Sequence, residues 1–454
     1  MARNCVPFLW RKGFLRLSPL SPSAAGPLSP SAAPFATRQT CPASSHCREI
    51  HVPPRQHSLP AAYYRGGTSR AVFFRREHLP ADRERWDPIF RGVIGCPDPY
   101  GRELDGMGGG ISSLSKVCVV GPSARPDADV DYTFAALGIR DGQVDYTSNC
   151  GNMSSAVGPY AVDQGLLPVP TTTTTTTSTP SCSSSHDATV RIHNTNTGKI
   201  IHATFPLAAD GEAAAAGDFR IDGVAGTGAR VRLDFVDPAG SRTGKLLPTG
   251  NTTDVLNLGG GEGGGGDLRV TCIDVGNPCC FVTARELGVD GRLTPDEIDA
   301  RADLMRTLEA VRRRAAVRMG LAANVDDVPG SVPKIAFVSP MGDAERESSG
   351  TSARAGVVAR ALSVGQPHKA IPITVALAVA AAARLPGTVV HECLRGDDDH
   401  DGAAQDGAAG DELDVYHASG RLTVDAKFDS SGKLLVATVF RTARRLMEGL
   451  VFWK

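Results

Sequence analysis

Ser148-Asn149-Cys150-Gly151-Asn152-Met153 is the stretch on which the reading of this chain turns. It sets a cysteine among small polar residues and a glycine, directly ahead of the apolar run Ser154-Ser155-Ala156-Val157-Gly158-Pro159-Tyr160-Ala161-Val162. Val144 and Tyr146 lead in with a strand-like alternation. A cysteine at a strand-to-helix turn sits on unsatisfied backbone N–H groups and the positive end of a helix dipole. That position lowers a thiol pKa and also makes an anion site. The same few atoms are then suited to hold a carboxylate and to move a proton. A buried structural cysteine is the competing reading.

Outward from this turn, strands and glycine turns dominate. Ala62-Tyr63-Tyr64, Arg65-Gly66-Gly67-Thr68-Ser69 and Ala71-Val72-Phe73-Phe74 read as strand, turn, strand. Residues 82–94 read as a helix, and residues 114–120 as a strand entered from Gly106-Met107-Gly108-Gly109-Gly110. Further strands are expected at 130–136, 188–193, 199–205, 231–236, 268–274, 281–282, 335–338, 422–424 and 434–440. Thr294-Pro295-Asp296-Glu297 starts a long helix to Arg318, with Ile298, Leu304, Leu308 and Val311 as its apolar stripe. Alanine favours a second helix over 371–383. A short basic helix is expected from Thr442. The two halves share a rhythm of strands around one apolar helix, without a residue-level repeat.

At 454 residues the chain exceeds one ordinary core. Lys plus Arg (48) nearly cancel Asp plus Glu (49), so neither nucleic acid nor an acidic membrane surface is called for as partner. The most apolar run, 375–383, is too short to span a bilayer and is closed by Arg384 and Pro386. The 11 cysteines are odd in number, scattered and without a C-x-x-C pair, which suits a reducing compartment. Near the start, Arg3, Arg11, Lys12, Arg16, Arg38 and Arg48 face Glu49 as the only acid, among Ser, Pro and Ala. This is the composition of a mitochondrial presequence, and the expected location is the matrix, with the cytoplasm as alternative. Four segments read as mobile surface insertions: the Thr/Ser-rich 170–186, the alanine-rich 208–217, the glycine run 259–266 and the acidic 396–412. The expected division is a disordered 1–56, a first domain over 57–227, a second over 228–435, and a segment 436–454 returning to the first.

Four stretches resemble the PrpF family, the 2-methylaconitate and aconitate isomerases with the 4-oxalomesaconate tautomerases. They are Tyr64-Arg65-Gly66-Gly67-Thr68-Ser69 with Val72-Phe73-Phe74; Asp98-Pro99-Tyr100-Gly101 through Asp105-Gly106-Met107-Gly108-Gly109 to Ser112-Ser113-Leu114-Ser115-Lys116; Asn149-Cys150-Gly151-Asn152 with Ala156-Val157-Gly158-Pro159; and Phe440-Arg441-Thr442-Ala443-Arg444-Arg445-Leu446-Met447. The resemblance implies an α/β (α+β) diaminopimelate epimerase-like fold. That is two similar domains, each a curled β-sheet around a central helix, with the active site in the cleft between them. Val275-Gly276-Asn277-Pro278 resembles the superfamily's Gly-Asn-Pro-His turn, with Cys279 in place of the histidine. Epimerases of this type use two facing cysteines. Cys150 matches the first, but the second turn, Gly365-Gln366-Pro367-His368-Lys369, has none. Lys116 matches the lysine implicated in catalysis, and the resemblance implies that the cysteine is the less essential of the two.

The chemistry so implied is an allylic shift of a double bond, which removes a proton from one carbon and replaces it on another. It needs a base of suitable pKa and fixed positive potential where charge collects on the carboxylates. Lys116 is the expected base if burial keeps it partly neutral, and Cys150 handles the second proton or helps bind. Ser112, Ser113 and Ser115, with the glycine turn, offer donors in the manner of an anion nest. Asn149, Gly151 and Asn152 line a carboxylate site at the helix start. Arg65, Thr68 and Ser69 are expected to clamp a further carboxylate, with Arg70 keeping the charge where the family often has lysine. Asn277 is a candidate amide donor, and His368 and Lys369 complete the anion cage. His391-Glu392-Cys393 and the acidic run fit no standard metal spacing, and Gly226-Thr227-Gly228 is no dinucleotide fingerprint. No cofactor or metal is expected, the partner is a small polycarboxylate, and a homodimer is left open. The alternatives are an oxo-tricarboxylate tautomerase, a cysteine-dependent epimerase and an inactive polycarboxylate-binding protein.

Overall fold

The computed structural model describes residues 55–167, 187–259, 266–343, 345, 355–395 and 412–454. The presequence-like segment up to residue 54 lies outside them, as do the Thr/Ser run, residues 260–265 of the glycine run and 396–411 of the acidic one. The import reading therefore falls outside the described residues too.

The first half runs β1 (His57–Gly66), β2 (Ser69–Arg75), α1 (Trp86–Ile94), β3 (Lys116–Pro122), β4 (Val130–Leu137), β5 (Val144–Asp145), α2 (Gly151–Asp163), β6 (Asp187–Asn194), β7 (Lys199–Pro206) and β8 (Val231–Val236). The second continues with β9 (Asp254–Asn257), β10 (Asp267–Asp274), β11 (Pro278–Thr283), α3 (Pro295–Asp299), α4 (Ala302–Arg318), β12 (Lys334–Pro340), β13 (Gly356–Ser363), β14 (Gln366–Pro367), α5 (Ile373–Ala383) and α6 (Val389–Arg395). The chain closes with β15 (Glu412–His417), β16 (Gly420–Phe428), β17 (Leu434–Arg441) and β18 (Ala443–Trp453).

The strand pairings repeat. β1–β2 is antiparallel, β2–β3 parallel, β3–β4 antiparallel and β4–β6 parallel. In the second half β10–β11, β11–β12, β12–β13 and β13–β15 follow the same sequence of senses. β8 and β17 pair antiparallel and join the halves into one sheet. Each half curls around its own helix, α2 or α5, and α5 is buried along its whole length. The expected α/β architecture of strands curled around two central helices is the observed one, with the strands of both halves continuous in one sheet.

Strand alternation decides which side chains face these helices. In β3, Cys118 and Val120 pack inward in the core that holds Met153 and Tyr160 of α2, while Val117 and Val119 pack outward against Phe90 and Val93 of α1. In β12, Ala336 and Val338 face the core of α5, and Ile335 and Phe337 face Leu308 and Val311 of α4. Lys116 and Lys334, the first residues of these two strands, share the inward parity.

Three expectations change. The segment from Thr442 is a strand, not a helix: β18 pairs with β1 from His57↔Trp453 to Gly66↔Ala443, and its exposure alternates with period two. Of its basic residues Arg444 is exposed, while Arg445 is half-buried on the opposite face and paired with Glu212 and Glu448. The helix expected over 294–318 breaks at Ala300-Arg301 into α3 and α4, although the Thr294/Glu297 capping box forms. The alanine-rich insertion is held in a closed turn, with Ala208 N–H on the Glu212 carbonyl (2.8 Å) and Ala213 N–H on Asp163 (3.0 Å).

Asn277 clasps the halves together. Its Oδ1 accepts from Asn149 N–H (2.9 Å), and its Nδ2 donates to the Asn149 carbonyl (2.7 Å) and to Thr374 Oγ1 (3.2 Å). All of these groups are buried. Asn277→Ala leaves two buried backbone groups unpaired, and the expected loss is about 2–4 kcal/mol, read as a fall in the urea midpoint.

Candidate active site

A cavity of about 560 Å³ opens where the two central helices begin. From the first half it is lined by Thr68 and Ser69 of the β1–β2 turn, Ser112 and Ser113 before β3, Lys116, and Ser148 to Asn152. From the second it is lined by Ser331, Lys334, Ser363, Gln366, His368, Lys369 and the start of α5. The helix starts touch: a Cβ on Gly151 would stand 2.6 Å from Ile373 Cβ, so only glycine admits this approach. Two helix N-termini thus bring positive ends to one space.

Cys150 is the N-cap of α2 with extended backbone, and its side chain makes no cap hydrogen bond. It is only partly buried and faces the cavity. Its carbonyl accepts from Ser154 N–H (3.0 Å) in the first turn. Lys116 is buried, donates to the Ser112 carbonyl, and lies over the Phe134 ring with Nζ 5.8 Å from the centroid. Burial holds its pKa below the ordinary lysine value, opposed chiefly by charge on Cys150. The two groups therefore lie in each other's field on one cavity.

Lys334 was not singled out from the sequence. It is as buried as Lys116 and donates to the Ser331 carbonyl (3.2 Å) and Ser363 Oγ (3.5 Å). Burial lowers its pKa as well. The signal lay in Gly330-Ser331-Val332-Pro333-Lys334 ahead of the apolar Ile335 strand, which parallels the serine-rich approach to Lys116. His368 meets Ser112 Oγ through Nε2 (3.4 Å) across the cleft, where Ser112 N–H also donates to Gln366 Oε1 (3.1 Å). Burial, then Lys116 and Lys334, push the His368 pKa down to about 3, so it is a neutral imidazole.

Eleven of the expected site residues share this cavity: Lys116, Cys150, Thr68, Ser69, Ser112, Ser113, Asn149, Gly151, Asn152, His368 and Lys369. Three do not line it. Arg65 Nη1 is engaged by the carbonyls of Gly67 (2.9 Å) and Thr442 (3.0 Å), and so braces the turn against β18 instead of clamping a carboxylate. Ser115 Oγ donates to Glu103, a buried carboxylate that also accepts from Gly110 N–H (2.8 Å) and shapes the glycine loop. Asn277 is consumed by the clasp. Cys279 lies buried in β11 with its thiol pushed up to about 12 by burial, so it supplies no second thiolate. His391 and Glu392 are likewise engaged, by the Ala383 carbonyl and Arg269, and the described residues hold no metal-ligand cluster.

The depressed His368 pKa has a sign. Folding excludes a proton that the unfolded chain takes up near pH 6.5, so stability is fully present above that value and falls as pH drops toward about 3. His368→Gln is expected to flatten the dependence of the urea midpoint between pH 6.5 and 4. His417, held at about 4, keeps part of the slope.

Residues 56–454 match the family model described as PrpF protein. The 3-methylitaconate isomerase of Eubacterium barkeri is 38% identical over 403 residues, covering 87% of this chain and 97% of that protein. The 2-methyl-aconitate isomerase of Cupriavidus necator is 38% identical over 415 residues, covering 88% and 98%. A crystal structure of methylitaconate-delta-isomerase superposes with a TM-score of 0.65 at 38% identity, covering 88% of this chain and 96% of that one. With this cavity at the junction of two helix-centred sheets, the chain belongs to the PrpF family and is an isomerase.

Proposed function

We propose that the protein moves the double bond of a small unsaturated tricarboxylate of the 2-methylaconitate or aconitate class, by proton transfer between two allylic carbons and without a cofactor. The observation that carries this reading is the convergence of Lys116 and Cys150 on one cavity that also presents Lys334, Lys369, serine hydroxyls, amides and two helix N-termini, with Asp296 and Asp299 as the acids of its wall. Carboxylates suit that lining, and a carbanion delocalised onto them suits it further.

The step balances with these two groups. A neutral Lys116 amine takes a proton from the carbon next to the double bond, and the C–H electron pair spreads over the allyl system and its carboxylate. The Cys150 thiol delivers a proton to the far carbon, which leaves a thiolate. Transfer of the proton from the ammonium to the thiolate resets the pair. In the reverse direction the roles exchange. Burial of Lys116 makes the neutral amine available at lower pH than in water. His368, held neutral, adds no proton of its own near pH 7 but places an imidazole against Ser112.

The tautomerase reading uses the same pair, and no cavity group singles out an oxo substituent. The epimerase reading lacks its second thiol. At the start of α5 the N-cap corresponding to Cys150 is Pro372.

Proton NMR in deuterated water tests the proposal with 2-methylaconitate, cis-aconitate and trans-aconitate. Turnover is expected to place deuterium at the newly saturated allylic position. Lys116→Met is expected to lower kcat by about 10²–10⁴-fold, the usual weight of a positioned acid or base. Unchanged turnover in that variant, or none of the acids converted by the wild type, would overturn the reading.

A further inference from the structure

The repeat of strand senses gives Lys116 a counterpart. β3 and β12 occupy the same place in the two halves: each is parallel to the strand before it and antiparallel to the strand after it. Each opens with a lysine of inward parity. Each amine turns back onto the carbonyl of a nearby serine, Ser112 or Ser331. Both amines are buried and both line the cavity.

The thiol is not repeated. Where the first half has Cys150 at the helix start, the second has Pro372, which carries neither a thiol nor an amide hydrogen. The second half therefore offers a cation without a matching proton donor to carbon. The hydrogen-bond partners of both amines are neutral: serine carbonyls, one hydroxyl, and for Lys116 an aromatic face. Moving a cation out of water costs several kcal/mol unless a counter-charge accompanies it. Asp145 offsets part of the Lys334 charge, and Asp296 and Asp299 stand on the cavity wall, but neither amine has a carboxylate as hydrogen-bond partner, and two helix starts lie beside them, so the space favours an anionic ligand.

We propose that Lys334 is a specificity-determining residue: its ammonium receives a carboxylate of the substrate from the side of the second half, so that the cavity favours a tricarboxylate over a dicarboxylate. The proposal rests on the polycarboxylate reading above, which itself needs only Lys116 and Cys150. A carboxylate on Lys334 and another at the start of α2 would fix the carbon chain between them, with the allylic carbons presented to the catalytic pair. Lys334 is thus a binding cation, and Lys116 the base.

Binding and turnover test it separately. Calorimetry with the saturated acids tricarballylate and methylsuccinate reads affinity without chemistry. The wild type is expected to bind the tricarboxylate at least about tenfold more tightly, the weight of one charge-assisted hydrogen bond. Lys334→Met is expected to erase that preference, and Lys334→Arg to restore most of it, with unaltered melting as the check on folding. In turnover, Lys334→Met is expected to raise KM for 2-methylaconitate by ten- to a hundredfold and to change kcat far less. A preference for tricarballylate that survives Lys334→Met, or its absence from the wild type, overturns the proposal. So does a Lys334→Met enzyme in which the pH profile of kcat shifts while KM holds, since Lys334 would then act only on the protonation of Lys116. Failure of the wild type to isomerise any acid would sink the functional reading and leave the calorimetric comparison intact.

Discussion

The amide of Asn277 holds together the two places where this protein concentrates positive potential. One side chain accepts from the backbone before α2, donates back to the same residue, and donates to the first turn of α5. Without a clasp of this kind two helices that both present their positive ends would repel across the cleft. Gly151 lets them close to van der Waals contact with Ile373. The cavity, its lining and the field in it all follow from that junction.

The second constraint is electrostatic. Lysine is seldom buried without an acid beside it. Here two buried lysines have serine carbonyls, not carboxylates, as hydrogen-bond partners, Asp145 acts on Lys334 only through its field, and the neighbouring imidazole is kept neutral. The free protein stores an unfavourable arrangement that an anionic ligand relieves. The same desolvation makes Lys116 a base at accessible pH.

Much of this was legible in the residues. The hairpin around Gly66-Gly67, the helix begun at Cys150 and the apolar α5 follow from local pattern, and the serine-rich approach to Lys116 marked one wall of the cavity. Arg65, Ser115 and Asn277 have the residue types of an anion site, yet they serve the frame around it. Arginine, serine and asparagine satisfy backbone carbonyls as readily as carboxylates, and only the neighbours tell which. The tail from Thr442 misled because its apolar residues come in adjacent runs, Leu446-Met447 and Leu450 to Trp453, broken by Arg444, Arg445 and Glu448, which hides the alternation of a strand. Its period of two is clear once β1 lies beside it. Lys334 went unseen because its one signal, the serine and proline that precede it, has meaning only when the two halves are compared, and a lysine before an apolar strand does not by itself show burial.

The sequence by itself determined most of the elements of the first half, the two central helices, and the residue chemistry available at Lys116 and Cys150. These depend on alternation, turn residues and side-chain type, which act over a few residues. The tertiary structure alone decided which polar groups brace and which face the cavity, and it set Lys334 opposite its counterpart. Those outcomes depend on contacts between residues more than a hundred positions apart, such as Asn149 with Asn277, and on the loss of water that only the closed cleft imposes.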